Sequence, residues 1–269
     1  MSLIKYDLAM NSQNLLNEGM IRLPIVEQAM AWLIEVGPLV DNPELPPWVL
    51  KHLVHQRRIV RLRNGLYLVP DTSMRLPTLQ AVVSLLAPHG YIGFYAALTI
   101  HALTDQDFAE WIVVTDRHTA SIRYGRRSVR FLASPSRMAI AQVTTRTSDG
   151  VDVRHATPAQ ALCETLQMPK FGPDLPELLH CLRAGLETGL ISRDTLHEIV
   201  EKLGSPLLAR RLGLLIELVT GEIDQELLRT SRRSHAMFAA WPGAQDAVDP
   251  VWRLVLPETR ERIVYAARA

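Results

Sequence analysis

Cysteine is scarce in this chain: among 269 residues only Cys163 and Cys181 occur, eighteen positions apart in apolar surroundings and in no Cys-x-x-Cys pair. That excludes a zinc ribbon and a disulfide framework, and it predicts two buried, reduced thiols. Uninterrupted apolar runs are also missing. The stretch Leu203–Val219 is broken by Arg210, Arg211 and Glu217, so it cannot span a bilayer. The opening MSLIKYDLAMNSQN has no basic segment followed by an apolar one, so no signal peptide is read. The expectation is a soluble, cytoplasmic chain with no membrane partner. There is no Walker A loop and no Gly-x-Gly-x-x-Gly. A formal net charge of only +1 excludes a chain that binds polyelectrolytes through its bulk charge. The length suffices for one large domain or two ordinary ones, and 48% hydrophobic residues can build a sizeable core.

The most informative absence is local. No Asp or Glu occurs from Leu45 to Pro70, while Lys51, Arg57, Arg58, Arg61 and Arg63 all do. The same region carries VRLRNGLYLVP, in which Asn64-Gly65 between alternating apolar runs predicts a two-residue hairpin turn. An ideal register would pair Leu62 with Tyr67 and Val60 with Val69 on one apolar face, leaving Arg61 and Arg63 on the other. Upstream, helices are expected at about residues 6–17, over Ile25–Val36 after Pro24, and from Pro46 or Pro47 to near Arg57. In the last of these, Leu50, Leu53 and Val54 share a face, with Trp48, Lys51, His52 and His55 opposite. VGPLVDNPELPP, between the second and third helices, is broken by proline.

Helix, helix, helix, hairpin is the order of a winged helix-turn-helix, in which a helix enters the major groove and the hairpin lies along the phosphates. Phosphate contact favours arginine, which stays protonated and bonds bidentately. Base reading falls to the exposed face of the third helix: Trp48, Lys51, His52 and His55. Arg57, Arg58, Arg61, Arg63 and Asn64 complete the candidate DNA-binding set. A solvated helix end, favoured for cations by the helix dipole, is the plainer explanation of Arg57 and Arg58. His52 and His55 lack a third ligand in a suitable place, so no metal is expected.

Asp71 to Pro77 reads as a linker. After it come short helices at Leu79–Leu86 and 94–103, then strands at 111–116, 128–132, about 139–147 and 151–156. Helices follow from Thr157, an N-cap with Pro158 behind it, to about 230. The last forty residues look loop-like, with a short strand at Val251–Leu256. A second acid-free stretch, Arg117 to Ser148, holds Arg117, Arg123, Arg126, Arg127, Arg130, Arg137 and Arg146. SIRYGRRSVRF within it resembles a hairpin with a basic tip. It could be a second phosphate surface, or bind RNA or an acidic protein, or only aid solubility.

Catalytic patterns find little support. Gly204-Ser205 with Glu222 and Asp224 superficially suggests a nucleotidyltransferase, but Ser205 reads as a helix N-cap and the acids as the start of the next helix. Asp116 could be one acid of a nuclease core, yet no second acid follows on the next strands, and holding Mg²⁺ needs a convergent cluster. His101 and His155 read as partly buried, hydrogen-bonded residues. No catalytic residue and no cofactor is expected. A nucleic-acid-processing enzyme whose hairpin positions substrate remains the alternative.

Five blocks, LKHLVHQRRIVRLRNGLYLVP, LLAPHGYIGFYAALTIHALTDQ, WIVVT, VRHATPAQALCETL and LARRLGLLIEL, follow one another over roughly residues 47–220. Together they resemble the AbiEi-type antitoxin family. Arg58 stands where the family's turn has Gly, and Gln160 where a later block has Arg. The resemblance implies an α+β protein: an N-terminal winged helix-turn-helix over 1–75 and a mixed α/β antitoxin domain over 76–269, with strands at about 111–156 and helices at about 157–230. It also implies a repressor that binds promoter inverted repeats of double-stranded DNA, with dimerisation there. It implies, too, functional pairing with a nucleotidyltransferase-type toxin without a stable complex.

Overall fold

The computed structural model describes residues 22–106, 108–233, 237–245 and 247–267. The helix expected at about residues 6–17 lies outside these. The described chain begins with α1 (Arg22–Val36), β1 (Leu39–Asp41), α2 (Pro47–His55), β2 (Val60–Arg63) and β3 (Leu66–Leu68). Where a middle helix of the helix-turn-helix would fall, the chain forms β1 and an irregular turn instead. Pro38, Pro43 and Pro46 remove the amide donors a helix there would need. The strand β1 pairs antiparallel with β3, giving a three-stranded sheet in the order β1-β3-β2.

The hairpin departs from its expected register. Arg63 faces Leu66 across the Asn64-Gly65 turn, but then Arg61 pairs with Tyr67 and Val60 with Leu68. Leu62 is the extra residue of a β-bulge. The reason lies in β3, whose two faces are both covered. Tyr67 packs with Val69 against α1 and α2, while Leu66 and Leu68 join a second core with Leu62, Leu79, Val82, Ile92, Trp111, Ile122 and Val129. Gly65 sits at φ +77°, and a Cβ there would meet the Asn42 side chain at 2.1 Å, so the turn needs glycine on both counts.

That second core belongs largely to a six-stranded mixed sheet of order β6-β7-β5-β4-β9-β8. Its strands are β4 (Tyr91–Ile92), β5 (Glu110–Thr115), β6 (Ile122–Tyr124), β7 (Arg127–Ala133), β8 (Val143–Ser148) and β9 (Val151–Ala156), interleaved with α3 (Leu79–Leu86), α4 (Phe94–Ile100) and α5 (Pro135–Ile140). The single strand expected over about 139–147 is thus the end of α5 followed by β8. Helices α6 (Pro158–Gln167), α7 (Leu175–Glu187), α8 (Arg193–Leu203), α9 (Pro206–Thr220) and α10 (Gln225–Ser231) follow. Their starts are set by side-chain caps: the oxygens of Thr157, Asp174, Ser192, Ser205 and Asp224 accept backbone N–H bonds from the first turns. Cys163 and Cys181 are buried and unpaired, and burial pushes both thiols up.

The tail corrects the loop-like expectation. β10 (Ala239–Ala240), β11 (Ala247–Asp249) and β12 (Leu254–Leu256) form a small sheet, and α11 (Arg260–Ala266) follows. Long-range contacts hold it. Trp252 is fully buried against Gly213, where an added Cβ would come within 2.2 Å of the ring, and its indole N–H donates to Glu217 at 2.6 Å. Arg260 bonds both Glu217 and Asp249, each at 2.6 Å. Arg211, which interrupts the apolar run of α9, is buried and donates to the last carbonyls of α6, Leu166 at 2.8 Å and Gln167 at 3.2 Å. Among the described residues no helix is long and apolar enough to cross a membrane.

Candidate nucleic-acid interface

The helix α2 starts at Pro47 and buries Val49, Leu50 and Leu53 against Val26, Ala29, Met30 and Leu33 of α1. This anchoring leaves Lys51, His52 and His55 exposed. Trp48, expected on the same exposed face, is half-buried and packs on the N-terminal core: a large indole at the first turn recovers apolar contact there.

The helix ends in an unusual way. Gln56 closes it, its N–H donating to the His52 carbonyl, and Arg57, whose N–H donates to the Val54 carbonyl, then adopts φ +59°. That left-handed position is customarily glycine, and a residue with a Cβ costs on the order of 1 kcal/mol there. Arg57 is exposed and makes no ion pair with a described residue. Its neighbour Arg58 differs. Its guanidinium forms a bidentate pair with Glu27 of α1, at 2.5 and 2.8 Å, which holds the carboxyl of Glu27 below its usual range. Arg58 therefore ties α1 to the α2–β2 corner, an ion pair that its place among the candidate phosphate contacts did not anticipate.

The bulge also separates the two hairpin arginines, which were expected to point the same way. Arg61 is exposed, with one guanidinium nitrogen donating to Asn64 Oδ1 at 2.6 Å across the turn. Arg63 is half-buried and its Nε is buried without a partner. The exposed set on this unit is accordingly Lys51, His52, His55, Arg57, Arg61 and Asn64.

The second basic stretch is sorted by the sheet. Arg127 lies over the Trp111 ring at 5.3 Å; Arg130 pairs with Glu110 at 2.9 Å and lies 5.5 Å from the Phe171 ring. Arg137 donates to Gln167 at 2.5 Å, and Arg146 reaches the Ile100 carbonyl at 3.5 Å. Arg117, Arg123 and Arg126 are exposed, as are Arg130 and Arg146 despite these contacts. The strands β2 and β6 come within 8 Å of each other, Cα to Cα, so residues sixty positions apart in sequence become neighbours.

The catalytic candidates take structural roles. Ser205 caps α9, and Asp224 caps α10 while bonding His197 at 2.8 Å. Asp116 is exposed just after β5, beside Arg117. Among the described residues no three His, Cys, Asp or Glu side chains are grouped to hold a metal ion. His101 bonds the Ala156 carbonyl at 2.9 Å and His155 bonds Thr144 at 3.0 Å. Burial, with the charge of neighbouring His101, lowers the His155 imidazole to about 4.

A buried group escaped the sequence reading altogether. Glu164 of α6 is fully buried and accepts from the Tyr91 hydroxyl at 2.5 Å, the Gln160 amide at 3.0 Å and the Phe94 backbone N–H at 3.1 Å. Burial raises its carboxyl, with these hydrogen bonds and the Arg137 charge opposing. Gln160 stands where the resembled family has Arg, and it serves this carboxyl. The signal available in sequence was an acid inside the apolar ALCETL segment.

No protein-family profile matches the chain, and no curated protein is similar to it in sequence. Among solved structures the chain is similar to the RV2827C protein from Mycobacterium tuberculosis, with a TM-score of 0.57 and 12% identity over 90% of this chain and 95% of that one. At that identity the likeness concerns the fold alone.

Proposed function

We propose that the chain is a DNA-binding transcriptional repressor in which α2 enters the major groove and the β2–β3 hairpin lies along the phosphates. The observation that carries this reading is the exposed, acid-free set Lys51, His52, His55, Arg57 and Arg61, presented by a helix and the hairpin that follows it. A duplex carries one negative charge about every 1.7 Å of its axis, and such a set supplies the cations to meet it. The sheet order β1-β3-β2 supports a winged helix-turn-helix, with β1 and a proline-rich turn in place of the middle helix. Arginine at a strained left-handed position supports it too, since a position chosen for stability alone would take glycine.

The resemblance to AbiEi-type antitoxins extends the proposal. The chain would repress the operon it shares with a nucleotidyltransferase-type toxin and counteract that toxin through residues beyond 76, without catalysis. What supports this is that the resembling blocks pack on one another. Tyr91 of PHGYIGF donates to Glu164 of ATPAQALCETL, which also accepts from Gln160 of its own helix, and Arg211 of LARRLG meets the end of that same helix. No observation favours the nuclease alternative, because Asp116 stands beside an arginine instead of a second acid.

The full-length protein, mixed with the DNA upstream of its own gene, is expected to protect an inverted repeat from nuclease, and Lys51→Gln or His52→Ala to change which bases are preferred. Absence of protection above that of bulk DNA would sink the repressor reading. Failure to restore growth when co-expressed with the adjacent gene would sink the antitoxin reading. A sharper check separates binding from folding. Arg57→Gly relieves the left-handed strain and should leave stability equal or raise it by a few tenths of a kcal/mol, by thermal unfolding. It should also weaken DNA binding by about fivefold through one lost phosphate contact. Stability and affinity moving down together would mean that Arg57 serves the fold.

A further inference from the structure

We propose that the β6–β7 hairpin is a second phosphate-binding element, gripping the same duplex as the β2–β3 wing and lengthening the footprint beyond one winged unit. This inference rests on the DNA-binding reading above. Its starting point is the fate of the arginines in the second acid-free stretch. Arg127, Arg130, Arg137 and Arg146 are engaged by protein groups, as described. Arg123 and Arg126 are exposed and form no ion pair with a described residue.

Their placement follows from the hairpin's construction. Tyr124 pairs with Arg127, so Gly125 and Arg126 form a two-residue turn, with Gly125 at φ +61°, and Arg126 stands at the tip. Ile122 is buried and Tyr124 half-buried in the second core, and strand alternation leaves Arg123 on the opposite face. The Tyr124 hydroxyl donates to the Pro77 carbonyl at 2.6 Å, fixing this strand to the segment that leaves the wing. Asp149 accepts from the Thr78 backbone N–H at 2.6 Å, and Glu110, in the same cross-strand row as Arg123 and Ser128, is paired with Arg130.

The wing and this hairpin share their support. Val60 and Leu62 of β2 pack in the same core as Ile122 and Tyr124 of β6. Each is an edge strand of its own sheet, and the two come within 8 Å of each other, Cα to Cα. A groove-bound wing therefore carries the β6–β7 hairpin against the DNA as a braced unit, with Arg61 on one edge and Arg123 on the next. Arginines with no acidic partner are suited to backbone contact, which positions a protein without reading sequence.

The test uses full-length protein and a random-sequence duplex of about thirty base pairs, three helical turns, because phosphate contacts are independent of sequence. Binding is followed by fluorescence anisotropy across a series of salt concentrations. The double variant Arg123→Gln, Arg126→Gln changes only exposed side chains, and an unchanged melting temperature confirms that it folds. The expected result is a slope of log K against log salt shallower by about two units, with affinity down roughly tenfold to thirtyfold at physiological salt. If Arg57→Gln and Arg61→Gln weaken binding while the double variant keeps the wild-type slope, the second element is refuted and the wing reading stands. If neither pair changes the slope, both fall. If only the Arg123 and Arg126 variant weakens binding, the hairpin acts without the wing and the shared-duplex inference is wrong.

Discussion

Neutralising Lys51, Arg57 and Arg61 together should lower affinity for duplex DNA by about a hundredfold at physiological salt. The same change should make the salt dependence shallower by about three units, because each lost phosphate contact releases about one counterion fewer. The loss should be similar for specific and random duplexes in its electrostatic part, and larger for the specific site by whatever Lys51 contributes to base reading. All three side chains are exposed, so the variant should melt where the wild type does. The adjacent Arg58 is the internal control. Arg58→Gln breaks the pair with Glu27 and loosens α1, yet it should leave the salt slope unchanged because the guanidinium is already committed. An anisotropy titration of both variants decides the matter: equal slopes in the triple variant and the wild type would remove α2 and the wing from the interface.

Glu164→Ala should be among the most destabilising single substitutions in the chain. It leaves the Tyr91 hydroxyl, the Phe94 N–H and the Gln160 amide without the acceptor they share, in a site closed to water. A buried donor left unpaired costs about 1–3 kcal/mol, and three that relax together give about 3–5 kcal/mol, visible in denaturant unfolding. The pH dependence offers a second readout. The carboxyl is raised by burial, so the folded protein holds this proton more tightly than the unfolded chain. Its contribution is fully present below the ordinary glutamate value and declines as pH rises through the raised folded value. Glu164→Ala should abolish that decline, and a wild-type decline retained in the variant would assign it to another group.

Much of the architecture was legible because it is set by nearest neighbours in the chain. Thr157 with Pro158, and Ser205 with Pro206, place helix starts through caps that reach only three residues. Asn64-Gly65 places a turn through its own backbone freedom. The acid-free stretches were equally plain, and with them the candidate interface. The tail was not legible. Its strands are two or three residues long and are held by Trp252 on Gly213 and by Arg260 on Glu217, partners some forty residues away. No local pattern records such a pairing.

The arginines divide the two kinds of information most clearly. Sequence alone determined that Arg57, Arg58, Arg61 and Arg63 crowd one helix end and hairpin without an acid among them, and that a second such run follows after Arg117. Only tertiary structure decided which of them remain available. Arg58 is claimed by Glu27, Arg63 is drawn half under by a bulge, and Arg127 and Arg130 lie on aromatic rings, while Arg57, Arg61, Arg123 and Arg126 stay exposed. The physical reason is that both faces of β3 had to be covered. Burying Tyr67 on one side and Leu66 and Leu68 on the other forced the register slip and drew β6 alongside β2, and long-range packing of that kind leaves no trace in the order of residues.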